Sequence, residues 1–344
     1  MTLTNHNFSM FLPISAITLL SIYQMMPLIL TEHTNKTSCS EFFFMGFSSQ
    51  PQMQPTFFAV LLLMYLLALL GNVLIILIIS TDDRLHTPMY FFLINLAVLD
   101  ISLTSCIIPK FLVILLSETK SISYFGCMTQ LYLLTWSLGT ELMLLTVMAF
   151  DRYVAICIPL HYLIIMCKKI YASLAAIIWF VGLCNATIHT SYILKLSFSE
   201  INYLDHFFCE IPAVLKVSLS DTYLVKIAVL VTDIFLGMIC FLFILVSYIQ
   251  ILTSIVKMRS TEKKMKAFST CASHIMVVTL YCGSTIYAYI LPALGYGSKG
   301  DKVASALYAL VSPVVNPMLY SLRNADEKQA FFKIFARHIL PRTK

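Results

Sequence analysis

The sequence predicts an all-α integral membrane protein that folds as a bundle of seven transmembrane helices. Apolar residues of the set AVILMFWYC make up 59% of the 344 residues, and Asp, Glu, Lys and Arg make up only 12%. Soluble chains contain roughly 45–50% apolar and about 25% charged residues. A core cannot bury this much apolar surface, so part of the surface must face lipid. Seven stretches are long enough to cross a bilayer, and bases concentrate between them.

Each predicted span contains about 20 or more mostly apolar residues, the length that a bilayer requires. Lipid offers no hydrogen-bond partner for an open backbone N–H or C=O, so each span must be helical. Four charged residues fall inside the spans, and they are Asp100, Lys110, Glu141 and Asp233. We predict spans at 56–79, 88–116, 125–150, 170–194, 227–256, 267–292 and 303–322.

The positions of Lys and Arg predict the orientation of the bundle. One set of connecting segments is rich in bases, whereas bases on the opposite side are roughly matched by acids. Basic segments stay in the cytoplasm, so the amino terminus is predicted outside and the tail inside. The net charge of +6 is therefore a topology signal, and the absence of a nucleic-acid-binding motif argues against a nucleic-acid partner.

The chain is predicted to have an extracellular segment at 1–55, a seven-helix domain at 56–322 and a cytoplasmic tail at 323–344. Residues 1–31 have no charged side chain and include an apolar run. This run could be a signal-like segment, an eighth span that reverses the terminus, or an extension ahead of a start at Met25 or Met26. A non-spanning extension is favoured because the sequon Asn35-Lys36-Thr37 suits an extracellular tail. Asn35 is the predicted glycosylation site.

The tail is predicted to form an amphipathic helix on the inner leaflet, with membrane lipid as its partner. Acids stand at its start, apolar side chains line one side, and bases can meet anionic lipid. The residues concerned are Asp326, Glu327, Phe331, Phe332, Lys333, Phe335, Arg337 and Ile339.

Asp151-Arg152-Tyr153 stands at the cytoplasmic end of the third span. The Arg152 guanidinium can pair with the neighbouring carboxylate or turn towards a cytoplasmic partner. The alternative is that these residues only anchor the helix end at the membrane surface.

In the seventh span, Pro317 of the sequence Asn316-Pro317-Met318-Leu319-Tyr320 removes a backbone hydrogen bond. It predicts a break in the helix that either switches between two arrangements or is a static kink.

Cys127 and Cys209 are both predicted to be extracellular, where disulfides persist. A bridge between them would tie the long loop 195–226 to the third helix and constrain the mouth of the bundle. Cys39 is also predicted outside and has no obvious partner.

Three acids at membrane depth are functional candidates, because charged groups there are costly. Asp100 and Glu141 could share a proton or hold a cation, or they could form a hydrogen-bonded pair that orders the bundle. Asp233 lies 15 residues before Tyr248, in the outer half of the fifth span. It could face a ligand, be protonated against a neighbouring helix, or pair with Lys226.

Several longer stretches together resemble the odorant receptors among the rhodopsin-like G-protein-coupled receptors, from about Glu41 to Arg337. They are Pro88-Met89-Tyr90-Phe91-Phe92-Leu93, Met148-Ala149-Phe150-Asp151-Arg152-Tyr153-Val154-Ala155-Ile156-Cys157, Pro159-Leu160-His161-Tyr162, His206-Phe207-Phe208-Cys209, Ser220-Asp221-Thr222, Lys266-Ala267-Phe268-Ser269-Thr270-Cys271-Ala272-Ser273-His274 and Pro317 through Asn324.

This resemblance implies a multi-pass plasma-membrane receptor that binds a small, mostly apolar odorant and activates a stimulatory, olfactory-type G protein. Asp151, Arg152 and Tyr153 would serve coupling, and Tyr248, Asn316, Pro317 and Tyr320 would relay activation. The pocket would lie between the third, fifth, sixth and seventh helices, under the loop 195–226. Its expected lining is Leu134, Thr135, Leu138, Asp233, Thr285, Tyr289 and Ala309.

The sequence departs from the family pattern at several positions. The outer loop of the family usually carries two further cysteines, where this chain has Ser199 and Leu219. Cys282 replaces a bulky hydroxylated residue of the sixth helix, at the expected pocket floor.

Other classes of membrane protein fit less well. A transporter or channel would show internal repeats, matched helix breaks or rings of charge. A retinal-based light sensor would need a lysine inside the seventh span, and Lys302 lies at its edge. A receptor of the same fold for peptides or lipids remains an alternative that the quoted motifs oppose. We expect no enzymatic activity, cofactor or metal, because the histidines are scattered and form no catalytic constellation.

Overall fold

The structure, a computed structural model, describes residues 39–45, 53–290 and 301–321. Within these ranges, seven helices are long and apolar enough to cross a membrane. They are α1 (Gln54–Thr81), α2 (Pro88–Leu116), α3 (Tyr124–Cys157), α4 (Lys168–Ile193), α5 (Tyr223–Lys257), α6 (Thr261–Thr285, continued by the π-helical turn Ile286–Ile290) and α7 (Asp301–Ala306, the π-helical turn Leu307–Val311 and Ser312–Ser321). The predicted seven-helix membrane bundle is confirmed.

Several helices are longer than the apolar stretches that predicted them, whereas α2 has the predicted bounds. Residues at the helix starts favour the first turn. The Ser123 hydroxyl accepts a hydrogen bond from the backbone N–H of Gly126 at 3.1 Å and so starts α3. Pro88 occupies the first turn of α2, where its missing N–H costs nothing. Helix α6 begins at Thr261, and Glu262 in its first turn suits the positive end of the helix dipole.

Helix α3 is the centre of the bundle. It contacts α2, α4, α5 and α6, and it is buried along most of its length. Helices α1 and α5 instead present rows of exposed Leu, Ile, Val and Phe. Apolar faces of this extent would be an aggregation hazard in water and are expected on a lipid-facing surface.

A small three-stranded sheet, which the sequence analysis did not predict, closes the extracellular end. Strand β1 (Glu41–Phe44) lies in the middle, antiparallel to β2 (Ser121–Ser123) and parallel to β3 (Ile201–Leu204). The Phe42 side chain is fully buried, with its ring 6.0 Å from that of Tyr124 and 5.4 Å from that of Phe198. Part of the predicted N-terminal segment therefore belongs to this sheet of β1, β2 and β3, which we call the roof sheet.

Pro317 does not end the helix, and the predicted switch or static kink at this residue stays a prediction. The last helical segment continues through Pro317 to Ser321, and the departure from α-helical geometry lies earlier, at Leu307–Val311. A methyl group added to Gly71 would lie 3.0 Å from the Pro317 Cβ, and the Asn72 amide donates to the Pro313 carbonyl at 3.0 Å. Close packing against α1 accounts for a proline that stays within a continuous helix.

Three predictions fall on residues outside the described ranges. They are the apolar extension at 1–31, the sequon at Asn35 and the amphipathic tail helix from Asp326 to Ile339. The division of the chain at residues 55 and 322 likewise remains a prediction.

Replacing Gly182 with Ala should destabilise the bundle, because α3 and α4 approach too closely there for a side chain. A Cβ at this position would collide with the Thr140 hydroxyl and lie 3.3 Å from the Trp136 ring. Overpacking of this kind costs about 1–3 kcal/mol. We expect a lower melting temperature for the purified receptor in detergent.

The matched control is Gly283→Ala in α6, where an added Cβ has no neighbour within 4 Å. Both changes give the same gain in helix propensity. Equal melting temperatures for the two variants would contradict the close approach of α3 and α4.

Phe42→Ala should lower both the melting temperature and the amount of receptor at the cell surface. Replacing a fully buried phenylalanine with alanine typically lowers the free energy of unfolding by about 3–5 kcal/mol. Phe43→Ala is the control, because the alternating strand leaves Phe43 only half-buried. If both variants behaved alike, the roof sheet would not depend on the aromatic cluster beneath it.

Candidate ligand cavity and cytoplasmic site

A cavity of about 360 Å³ lies in the outer half of the bundle, between α3, α4, α5 and α6. Its walls are mostly apolar, and Ile211 of the long outer loop contributes from above. Other lining residues are Thr135, Leu138, Gly139, Leu142, Asn185, His189, Asp233, Ile234, Leu236, Gly237, Met238, Phe241, Tyr281, Cys282, Thr285, Ile286 and Tyr289.

The cavity contains most of the residues that were expected to contact a ligand. Five of the seven line it, namely Thr135, Leu138, Asp233, Thr285 and Tyr289. The other two lie in the core instead, since Leu134 is 1% and Ala309 0% exposed and neither belongs to the lining. Among the described residues, no side chain of α7 lines this cavity.

Helix α4 takes the place that was expected for α7. Asn185 and His189 line the cavity and stand four residues apart, so they share one face of the helix. An amide and an imidazole one turn apart in a mostly apolar span were the signal in the sequence for this wall.

Polar side chains line the cavity on α3, α4, α5 and α6, and His189 and Asp233 meet at the wall between α4 and α5. The His189 Nε2 atom lies 3.8 Å from the Asp233 Oδ1 atom. Among the described residues, the ionisable side chain next to Asp233 is thus His189 and not Lys226. By contrast, the Thr135 and Thr285 hydroxyls each donate a hydrogen bond to a carbonyl of their own helix at 2.8 Å. These hydroxyls can therefore act only as acceptors towards a ligand.

Tyrosines connect the cavity to neighbouring helices. The Tyr281 hydroxyl donates to the Leu138 carbonyl and so joins α6 to α3. The Tyr289 and Tyr308 hydroxyls are 3.2 Å apart, and Tyr308 donates to the Glu210 carboxyl at 2.6 Å. A ligand in the cavity would therefore contact groups that hold α6, α7 and the outer loop together.

The predicted disulfide between Cys127 and Cys209 is present, with the two Cα atoms 5.4 Å apart. The Gln130 side chain reinforces it by accepting a hydrogen bond from the Cys209 backbone N–H at 2.8 Å. These contacts fix the outer loop onto α3 and place Ile211 over the cavity.

Hydrogen bonds hold the part of the loop where the family usually has two further cysteines. The Leu219 N–H donates to the Ser197 carbonyl and the Ser197 N–H donates to the Ser220 hydroxyl, both at 2.9 Å. Cys39 is buried and accepts a hydrogen bond from the Asn202 amide at 3.1 Å. Burial raises the pKa of its thiol, so the thiol stays protonated in this place.

The intramembrane acids Asp100 and Glu141 are buried near each other in the centre of the bundle. The Asn316 amide donates to both Asp100 carboxyl oxygens, at 3.1 and 3.3 Å. Within the described ranges, no group of three or more His, Cys, Asp or Glu side chains is arranged to hold a metal ion. The arrangement supports the interpretation that the pair orders the packing of α2, α3 and α7.

At the cytoplasmic end of α3, Asp151 does not pair with Arg152 but accepts a hydrogen bond from the Tyr162 hydroxyl at 2.8 Å. Burial and the nearby carboxylate raise the pKa of Tyr162, which keeps the hydroxyl protonated as a donor. Tyr153 is half-buried against the core.

Arg152 points towards a contact between α5 and α6. Its Nε atom has no hydrogen-bond partner among the described residues, and its charge acts on Tyr248 and His274. The Tyr248 hydroxyl and the His274 ring form a hydrogen bond of 2.6 Å. The side chain of Tyr320 lies outside the described part of the structure.

Comparisons with known proteins agree with this architecture. The sequence pattern of the family described as "Olfactory receptor" matches residues 61–338. Human olfactory receptor 13A1 is 47% identical over 302 residues, which cover 88% of this chain and 92% of that protein. Human olfactory receptor 13G1 is 46% identical with 88% and 98% covered, and mouse olfactory receptor 5AP2 is 42% identical with 90% and 98% covered. The chain belongs to the olfactory receptor family of G-protein-coupled receptors, which are multi-pass plasma-membrane receptors and not enzymes.

Proposed function

We propose that this receptor binds small, mostly apolar volatile molecules in the cavity between α3, α4, α5 and α6. Binding then activates a stimulatory, olfactory-type G protein and raises cyclic AMP. The observation that carries the proposal is the cavity itself, whose volume of about 360 Å³ and apolar walls with a few polar groups are typical of small-molecule sites.

The mechanism is a shift between two arrangements of the helices. A ligand that fits one arrangement better than the other moves the equilibrium towards it. Helix α6 would transmit this preference, because it carries Cys282 and Thr285 in the cavity and His274 about two turns further inward. Loss of the hydrogen bond between Tyr248 and His274 would free Arg152 for the G protein.

Several finer assignments belong to the same proposal. Asp151 and Tyr153 would position Arg152, while Asn316, Pro317 and Tyr320 would relay motion through α7. Asp100 and Glu141 would order the bundle, and the tail would bind lipid. Nucleotide exchange takes place on the G protein, so this chain itself performs no chemistry.

The direct test is cyclic AMP in cells that express this chain with a stimulatory olfactory-type G protein, screened against diverse odorants. A dose-dependent response supports the proposal. Silence towards every ligand class, with surface expression confirmed, would count against it.

Arg152→Ala should abolish the cyclic AMP response while leaving surface expression intact, because Arg152 is the predicted contact with the G protein. Arg84→Ala is the matched control at the same end of the bundle, where Arg84 pairs with Asp82 in a short loop. We expect the control to retain most of the response. A full response from Arg152→Ala would exclude the assigned coupling role.

Gly237→Leu should weaken responses to larger odorants by about tenfold or more, because the new side chain takes up part of the cavity. A Cβ at Gly237 has no neighbour within 4 Å, so the receptor should remain stable. Gly283→Leu is the control, since Gly283 has the same open space but does not line the cavity. Unchanged dose–response curves for Gly237→Leu would place the ligand elsewhere.

A further inference from the structure

His189 of α4 and Asp233 of α5 lie close together at one wall of the cavity, and we call this pair the polar corner. The His189 ring in this corner lacks a hydrogen-bond partner among the described residues. The His189 side chain is 1% exposed, yet neither ring nitrogen has a hydrogen-bond partner among the described residues. Buried polar atoms in proteins are nearly always hydrogen-bonded. Since His189 lines the cavity, the missing partner is expected to come from whatever fills the cavity.

The spacing of the corner suits one shared hydrogen-bonding group. The 3.8 Å between His189 Nε2 and Asp233 Oδ1 is too long for a direct hydrogen bond. A third polar atom can nevertheless lie about 2.8 Å from both, which is an ordinary hydrogen-bond length. Asn185 stands one turn before His189 on the same helix face and also lines the cavity. The α4 wall can therefore offer a further acceptor.

The charges of the lining indicate which group this is. Among the described residues that line the cavity, Asp233 is the one carboxylate, and there is no Lys or Arg. A carboxylate in apolar surroundings is costly unless a cation accompanies it. The Asp233 oxygens and an unprotonated ring nitrogen of His189 can both accept hydrogen bonds, so a group with several N–H donors and a positive charge satisfies both.

We infer that the cavity takes a small primary amine with an apolar body, its ammonium group seated between His189 and Asp233. The apolar body then packs against Leu138 and Leu142 of α3 and against Phe241, which lies further along α5. This inference rests on the proposed function, because it concerns the ligand class of the same cavity. An alcohol fits the corner less well, since a hydroxyl donates only one hydrogen bond and carries no charge.

The test measures binding directly, on the full chain purified in detergent, as the rise in melting temperature with added ligand. The probes are hexylamine and hexanol, which share one apolar body and differ in the head group. We expect hexylamine to stabilise the receptor at concentrations at least about tenfold lower than hexanol.

Variants then locate the head group. Asp233→Asn should remove the preference for hexylamine and leave hexanol binding unchanged, whereas Asp233→Glu should keep a weaker preference. His189→Phe should also weaken hexylamine binding. Glu118→Gln is the control for the same change of charge, because Glu118 is exposed in a loop away from the cavity. It should behave as the unaltered chain does.

Two binding results would overturn the inference, and a third outcome separates it from the proposed function. One is equal binding of hexylamine and hexanol to the unaltered chain, a comparison that needs no variant to fold. The other is an undiminished preference for hexylamine in Asp233→Asn. Cyclic AMP responses to neutral odorants without amine binding would sink the inference and leave the proposed function standing. Amine binding without any cyclic AMP response would do the reverse.

Discussion

The packing around α3 is the interaction on which the rest of the receptor depends. This helix contacts four other spans, and both of its ends are tied down. The disulfide from Cys127 holds the outer loop at one end, and the hydrogen bond from Tyr162 to Asp151 holds the short inner loop at the other. Because α3 both lines the cavity and carries Arg152, a change in the cavity can reach the inner end through movement of the helices packed around α3.

The membrane bundle could be predicted from the sequence because a lipid bilayer permits very few backbone structures. Backbone groups in hydrocarbon must be paired within the segment, so length and hydropathy suffice to locate a helix. The roof sheet could not be predicted in this way. Its strands are three or four residues long and belong to three separate segments, and only their meeting buries Phe42. Strand pairing between distant segments leaves little trace in local sequence.

The candidate site was predictable in part. Asp233 stood out because an acid in an apolar span is costly, and Thr135 and Leu138 followed from the family pattern. The α4 wall was missed because the depth of His189 in its span does not reveal whether it faces a neighbour, the lipid or a cavity. Its orientation depends on how closely α4 approaches α3, and that approach depends on Gly182, where a side chain does not fit. Pro317 shows the same limit, since packing against Gly71 keeps its helix continuous.

The cavity is bordered by side chains that also face outwards, as Met238 is 52% and Phe241 42% exposed. Acyl chains of the bilayer therefore compete with a ligand for the cavity, as water does in a soluble protein. Moving an apolar ligand from the lipid into an apolar cavity therefore gains little free energy from burial of its apolar surface. Shape and the few polar atoms of the α4–α5 wall must then carry the discrimination. Under the proposed function, an odorant would be selected for the features that distinguish it from a lipid tail and not for its apolar character alone.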